Sequence, residues 1–338
     1  MKQRQRAPDF IKGVAIVLMV YGHLTMVGAC ADVQNGVKSW IYSFHMPLFL
    51  LISGMFFSSA GDVAQKAKRI FLRVGLPYLI FISVYLLGLI LIQKVGIPTS
   101  NAPPESVVEF VKTILLYPRG GYWFLHSLLL IQLALVLGRG CMSERGASSL
   151  LIFTALLLLL LAAFELVRVR TIVYFLIGMA IRSVTDRKLD TPWYFGAACI
   201  VGVWALNYFL KLEELSVFSY TEMVWCLSIL ITLWGLAEKF SEGLGIKIVA
   251  WIGRNSLAIL VFHSIFIVLL KPLAGLFTQF EPSGWLYSLG VTIMTTAFCI
   301  ISALTLDKTK LSPYLFGTAQ CYMPFRDAQK DLPKIESK

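Results

Sequence analysis

Two basic side chains, Lys12 and His23, stand eleven residues apart on the first long apolar stretch of the chain. Eleven residues make about three helical turns with roughly 20° left over, so the pair shares one helix face. The rise between them is about 16 Å, roughly half the hydrocarbon thickness of a bilayer. Ionisable groups inside a membrane are costly and mark candidate functional sites. Taken singly, Lys12 also fits a lysine reaching the membrane surface, and His23 a hydrogen-bonded histidine inside a bundle.

The other three histidines, His45, His126 and His263, lie in later apolar stretches. If the N-terminus is inside the cell, all four fall roughly 6–11 Å from the outer ends of their spans. This common depth predicts a shared polar cavity near the outer surface. The preference of histidine for the headgroup region is an alternative explanation. No metal site is expected, because the histidines show no HxxxH or HExxH spacing.

Arg69 and Arg73 are four residues apart in the loop that leads into the third apolar stretch. On a helix they face the same way, which suits the binding of a phosphate. The ordinary enrichment of basic residues in cytoplasmic loops explains them equally well, and it is the preferred explanation for their neighbours Lys66 and Lys68.

Two further motifs concern the backbone and the interface. Pro47 stands inside the second apolar stretch and should free a carbonyl beside His45. Trp123 opens the fourth stretch, where it fits an aromatic belt, with stacking on a sugar as the functional alternative. A third motif is the polar cluster that begins the ninth stretch, for which the simplest interpretation is that Asn255 or Ser256 caps the helix.

The elements that must position these residues are membrane helices. The 338 residues are 57% hydrophobic and 14% charged, and soluble proteins have about 25% charged residues. The mean hydropathy is +0.75. We therefore predict an all-α, polytopic bundle of about ten transmembrane helices. The predicted spans are 11–30, 39–57, 72–92, 122–138, 148–164, 171–183, 192–210, 217–236, 253–270 and 285–306.

The net charge of +11 is distributed in a way that predicts orientation. Most lysines and arginines fall in the tails and the even-numbered loops, so both termini should be cytoplasmic. Anionic lipid accounts for this charge, and no nucleic-acid partner is expected.

The organisation predicted is one transmembrane domain over 1–306 and a cytoplasmic tail over 307–338 that is disordered at its end. A short surface helix is expected over 105–116, and no broken pair of helices is evident. The N-terminal stretch ending at Cys30 also resembles a lipoprotein signal peptide, but Lys12 and His23 interrupt its apolar run, so we expect it to be retained.

Five motifs together resemble the acyltransferase-3 family of bacterial membrane acyltransferases, and they occur in the order of that family. They are DFIKG (9–13) leading to Gly22-His23, FHMPLFLLISGMFF (44–57), the Arg69/Arg73 loop with Pro77-Tyr78, YWFLHSLLL (122–130) and GRNSLAILVFH (253–263). The resemblance covers residues from about 9 to 270.

The resemblance implies a membrane O-acyltransferase of the bacterial inner membrane. An acyl group, usually acetyl, would pass from cytoplasmic acyl-CoA to a hydroxyl of a cell-envelope sugar or polysaccharide precursor at the outer side. The donor is a substrate, and no permanently bound cofactor is expected. A transporter or flippase of a lipid-linked saccharide is the alternative from another class, and a non-catalytic membrane sensor is a third.

The resemblance also assigns roles to residues. His23 is expected to be the catalytic base and Lys12 its partner in the motif. Arg69 and Arg73, with Lys12, should bind the CoA nucleotide. Apart from the resemblance, His45 is expected to orient the acceptor or stabilise the oxyanion. Trp123, His126 and His263, which fall near the outer ends of their spans, are expected near the acceptor, and no metal ligand is expected.

Overall fold

The structure is a computed structural model that describes residues 5–94, 101–142, 147–185, 189–210 and 220–325. The regular structure of these residues is helical, which confirms the predicted fold class. The α-helices are α1 (Arg6–Gly22), α2 (Ala31–Phe56), α3 (Val63–Ile70), α4 (Leu76–Lys94), α5 (Val107–Leu115), α6 (Trp123–Met142), α7 (Ala147–Ala163), α8 (Val169–Thr185), α9 (Trp193–Leu210), α10 (Tyr220–Lys239), α11 (Leu244–Arg254), α12 (Ser256–Leu270), α13 (Leu273–Phe280), α14 (Trp285–Lys308) and α15 (Ser312–Phe316).

Each predicted span overlaps one of these helices. Within the described ranges, five helical stretches are long and apolar enough to cross a membrane, and the bent pair α11–α12 would make a sixth. The helices that match the other four predictions, α1, α7, α8 and α9, have 17 or 18 residues. The chain is a polytopic helical membrane protein, and the number of about ten spans stays a prediction. The short surface helix expected over 105–116 is α5.

The first span ends earlier than the sequence predicted. Helix α1 stops at Gly22, and His23 is its C-cap residue rather than a residue inside the helix. The segment after it docks on the loop before α14: the Ala29 amide donates to Pro282 at 2.8 Å and the Cys30 amide to Ser283 at 3.1 Å. Gly28 turns the chain there with φ +85°, a conformation that favours glycine.

Helix α1 is the central helix, and glycines let its neighbours approach closely. A Cβ atom on Gly13 would lie 1.9 Å from the carbonyl oxygen of Val249, and one on Gly253 would lie 1.8 Å from that of Asp9. Helices α1 and α11 therefore touch backbone to backbone, as membrane helices with small interfacial residues do. These two glycines belong to the first and last of the five motifs.

Helices α2 and α8 meet in the same manner. A Cβ atom on Gly54 would lie 2.0 Å from the carbonyl oxygen of Phe175, and one on Gly178 would lie 2.2 Å from that of Leu51. This contact holds α8 beside the half of α2 that follows His45. The SGMFF part of the second motif is thus explained by packing.

A break separates α11 from α12, which the sequence analysis did not expect. The two helices meet at an angle of 78°. Asn255 occupies the N-cap position of α12, but its side chain makes no capping bond. Its amide nitrogen donates to the carbonyl of Met323 at 3.0 Å, and its oxygen accepts the Met323 amide at 2.8 Å. The expected cap is wrong because this side chain binds the C-terminal segment instead.

The chain beyond α14 folds back onto the bundle as far as residue 325. Asp307 accepts hydrogen bonds from the Ser312 hydroxyl and from the amides of Cys321 (2.9 Å) and Tyr322 (3.0 Å). Phe316 is 1% exposed and packs against the rings of Phe81 and Phe262. Residues 326–338, for which disorder is expected, lie outside the described residues, and the division at residue 306 stays a prediction.

Candidate active site

A cavity of about 340 Å³ lies among α1, α2, α8 and the start of α6. Its volume falls within the range of small-molecule sites. Three of the predicted site residues line it, His23, His45 and Trp123. The other lining residues are Met19, Tyr42, Met46, Pro47, Leu50, Gly121, Arg168, Arg170 and Thr171.

The imidazole of His23 is held in one tautomer. Its Nδ1 lies 2.9 Å from the carbonyl oxygen of Met19, one turn back in α1. Because a carbonyl oxygen only accepts hydrogen bonds, Nδ1 carries a proton. In the neutral ring Nε2 then has a lone pair, which a general base requires.

The peptides on both sides of His23 are fixed by α2. The Tyr42 hydroxyl donates to the carbonyl of Gly22 at 2.6 Å, and the Lys38 ammonium donates to that of Leu24 at 3.2 Å. A Cβ atom at position 22 would lie 2.9 Å from the Tyr42 ring, so any larger residue there would have to displace the ring that donates this hydrogen bond. These two α2 residues were absent from the candidates found in the sequence.

Pro47 frees a carbonyl in α2, as predicted. A proline has no amide hydrogen, so the carbonyl of Ser43, four residues earlier, has no helical partner. It accepts a hydrogen bond from the Arg170 guanidinium at 3.1 Å. His45 is fixed nearby, with Nδ1 donating to the Ile41 carbonyl at 2.7 Å. Like His23, neutral His45 keeps the lone pair on Nε2.

Arg170 is locked by a buried carboxylate. It forms an ion pair with Glu222 of α10, which is 2% exposed, and its guanidinium lies 5.8 Å from the centre of the Tyr174 ring. Buried charges are tolerated when they are paired and hydrogen-bonded in this way. The pair gives one wall of the cavity a fixed donor.

Arg168 and Trp123 form another part of the wall. The Arg168 guanidinium lies 5.5 Å from the centre of the Trp123 ring, within the range of a cation–π contact. The Arg168 side chain is exposed, and in the part of the chain that the structure describes it has no carboxylate partner.

The remaining two histidines differ in position. His263 is fully buried, and its ring centre lies 5.0 Å from that of His23 in an edge-to-face contact. It stands outside the cavity lining, beside His23. The Nε2 of His126 donates a hydrogen bond to the Leu115 carbonyl at 3.0 Å. His23 therefore contacts His263 and shares the cavity with His45, whereas His126 contacts the end of α5.

The basic residues expected to bind the donor, Lys12, Arg69 and Arg73, do not line this cavity. The Lys12 ammonium lies 3.1 Å from a carboxylate oxygen of Asp9. Arg69 and Arg73 are exposed and make no ion pair among the described residues. Arg73 lies on a π-helical turn, Phe71–Gly75, between α3 and α4. Such turns are frequent at functional sites, and the sequence did not reveal this one.

Among the described residues, no group of three or more histidine, cysteine, aspartate or glutamate side chains is arranged to hold a metal ion. The clustered histidines donate through Nδ1 to carbonyls of their own helices.

Comparison with known proteins identifies the class. The family model for the acyltransferase domain of the acyltransferase-3 family matches residues 5–304. The chain belongs to that family, and the match confirms both the predicted family and the predicted enzyme class.

One curated relative is the nodulation protein NolL of Sinorhizobium fredii, 25% identical over 208 residues, which are 59% of this chain and 54% of NolL. The chain thus spans about half the length of that relative. No solved structure matches the chain.

The site residues that sequence reasoning missed share a cause. Lys38, Arg168 and Arg170 fall between the predicted spans, so they were not among the candidates. Glu222 gave a usable signal, because a carboxylate at the start of an apolar helix needs a cation partner. Which cation it takes depends on the contact of α10 with α8 and α2, and spacing along the chain does not encode that contact.

Proposed function

We propose that this protein is a membrane O-acyltransferase that moves an acyl group, most commonly acetyl, from acyl-CoA to a hydroxyl of a cell-envelope sugar or polysaccharide precursor. The observation that carries the proposal is the tautomer of His23, whose Nε2 lone pair belongs to a residue that lines the cavity. Family membership supplies the reaction class.

In the proposed reaction His23 acts as general base. The acceptor hydroxyl donates its proton to Nε2 while its oxygen attacks the carbonyl carbon of the thioester. The tetrahedral intermediate then collapses, the bond between carbon and sulfur breaks, and the proton on Nε2 passes to the CoA thiolate. The products are an ester of the acceptor and free CoA, and His23 returns to its starting state. The hydrogen bond to Met19 holds the ring throughout.

Two neighbouring side chains suit supporting roles. Neutral His45 presents an acceptor at Nε2, because its Nδ1 is committed to Ile41. It is therefore suited to accept a hydroxyl hydrogen bond and orient the acceptor, which favours the first of its two expected roles. Arg170 carries permanent N–H donors at the cavity wall and suits the oxyanion.

The donor is proposed to approach from the Lys12 end of α1. The CoA phosphates need cations, and Arg69 and Arg73 expose theirs. From Lys12 to His23 the rise is about 16 Å, which the extended pantetheine arm would have to cover. With the N-terminus in the cytoplasm of a bacterial inner membrane, this geometry brings a cytoplasmic thioester to an acceptor at the outer side.

The proposed function is tested with inside-out membrane vesicles supplied with radiolabelled acetyl-CoA. We expect label to enter membrane glycan in vesicles that contain the protein and to be lost with His23→Ala. Vesicles with Thr25→Ala, an exposed residue just after the site, are the matched control and should keep the activity. Transfer by His23→Ala within a few-fold of the wild type would refute the role of His23, and no transfer by the wild type would refute the function.

The alternative is a transporter of a lipid-linked saccharide without acyl transfer. The break between α11 and α12 favours it, because transporters use interrupted helices at their substrate sites. Here, however, the break at Asn255 binds Met323 of the same chain. The vesicle experiment separates the two functions, since a transporter alone gives no labelled glycan.

A further inference from the structure

We propose that the acceptor carries an anionic group, a phosphate or a carboxylate, and that Arg168 binds this group beside Trp123 at the cavity wall. The inference rests on the proposed function and deepens it by naming the substrate class. It begins from a contrast between two arginines that are two residues apart and line the same cavity.

The two arginines differ in whether their charge is already compensated. Arg170 is paired with the buried carboxylate of Glu222 and also binds the Ser43 carbonyl. Arg168 is exposed, and among the described residues it contacts the Trp123 ring, whose centre lies 5.5 Å from the guanidinium. The indole orients the guanidinium without neutralising it. The charge of Arg170 is therefore already compensated by Glu222, whereas no described carboxylate compensates the charge of Arg168.

The rest of the wall adds no negative charge. Of the described residues that line the cavity, none is an aspartate or a glutamate. The Lys38 ammonium is a second cation and lies 5.7 Å from the centre of the Tyr42 ring, which belongs to the wall. The described lining residues together with Lys38 therefore carry a net positive charge, which favours an anion over an uncharged sugar. A guanidinium matches phosphate and carboxylate with two parallel hydrogen bonds.

The donor is the other possible source of an anion, because CoA itself carries phosphates. The proposed function assigns these to Arg69 and Arg73, which lie in a different segment, in the last turn of α3 and in the π-helical turn after it. The two sources make different predictions for Arg168→Gln. An acceptor subsite loses affinity for an anionic sugar, and a donor subsite loses affinity for CoA.

The experiment is calorimetric titration of the purified full-length protein in nanodiscs of uncharged lipid. The probes are glucose-1-phosphate, glucuronate, methyl glucoside and CoA. We expect at least one anionic sugar to bind about tenfold more tightly than methyl glucoside, the gain of one charge-assisted contact. Arg168→Gln should remove this preference and leave CoA affinity unchanged, and Arg168→Lys should retain part of it.

Lys112→Gln is the matched control, because Lys112 is an exposed cation on α5 away from the cavity lining. It should keep the preference in full. Equal affinity for charged and uncharged sugars, or a loss that falls on CoA alone in Arg168→Gln, would overturn the inference. The titration measures binding without acyl transfer, so it is independent of the vesicle assay. A protein without anion preference that still shows His23-dependent transfer would refute this inference alone. A protein with anion preference but without transfer would refute the proposed function.

Discussion

Helix α1 has a different kind of site at each end. At the His23 end, hydrogen bonds to Met19, Gly22 and Leu24 fix the catalytic candidate and its flanking peptides before any substrate arrives. At the Lys12 end, the ammonium forms an ion pair with the carboxylate of Asp9. The arginines expected to act with Lys12 are exposed and unpaired among the described residues.

This difference suggests how the work of catalysis is divided. Groups that take part in a transition state must already be oriented, because reorganisation during the reaction raises the barrier. Groups that bind phosphates need only charge and reach, and they become ordered when the ligand arrives. We therefore expect changes at the His23 end to lower kcat, and changes to Arg69 and Arg73 to raise the KM for acetyl-CoA.

The largest effect is expected for His23→Gln. Glutamine keeps polar atoms near the site but has no base of suitable strength, so kcat should fall by about 10²–10⁴-fold. The KM for acetyl-CoA should change little, because the ring is not expected to bind the nucleotide. Initial rates of label transfer over a range of acetyl-CoA concentrations measure both quantities. A mutant with normal kcat and a raised KM would invert the comparison between the two ends.

The second largest effect is expected for the double substitution Arg69→Gln/Arg73→Gln. Removing two phosphate contacts should raise the KM for acetyl-CoA by about tenfold or more at unchanged kcat. The same rate measurements detect the change, and it should weaken at high ionic strength.

The pair Lys66→Gln/Lys68→Gln is the matched control, because it removes the same amount of charge from α3, the helix that also carries Arg69. We expect it to leave KM within about twofold, since its charge is assigned to the membrane surface. If both double substitutions raise KM equally, Arg69 and Arg73 act through diffuse charge and not through a defined phosphate site.

The sequence pointed to the candidate residues His23, Lys12 and Pro47, but it did not predict most of the tertiary contacts around them. The helices follow from apolar length, and Pro47 predicted a free carbonyl because proline lacks an amide hydrogen wherever it lies. The partner of that carbonyl, Arg170, was not predictable, since it comes from α8 through a tertiary contact. The end of α1 at Gly22 was also missed, because the docking of Ala29 and Cys30 on the loop before α14 overrides the apolar pattern.

The prediction for the histidines failed in part for the same reason. Depth in the membrane grouped all four, but depth says nothing about the angular position of a helix in the bundle. Helix α12 turns His263 toward His23, and α6 turns His126 toward Leu115. The π-helical turn at Arg73 was likewise invisible, because no residue pattern in that segment separates it from an α-helix.

A smaller effect is expected for Tyr42→Phe, which removes the hydrogen bond to Gly22 and keeps the ring. Losing one hydrogen bond costs about 0.5–1.5 kcal/mol, so kcat should fall by roughly three- to tenfold if the bond helps to orient His23. Tyr314→Phe is the control, because Tyr314 is 73% exposed on α15. An unchanged kcat in Tyr42→Phe would mean that the Met19 hydrogen bond alone orients the imidazole.

The smallest effect tests whether Lys12 belongs to the donor site. In Asp9→Asn the lysine loses its paired charge, so phosphate should be attracted more strongly and the KM for acetyl-CoA should fall by about two- to threefold. The change is small because the energy of a partly exposed ion pair is about 0–1 kcal/mol. It should disappear at high salt. Asp9 is 5% exposed, so the melting temperature is measured alongside to separate a loss of folded protein from a change in binding. A rise in KM at an unchanged melting temperature would show that Asp9 positions Lys12 for the donor instead of competing with it, and the Lys12 end would then be preorganised like the His23 end.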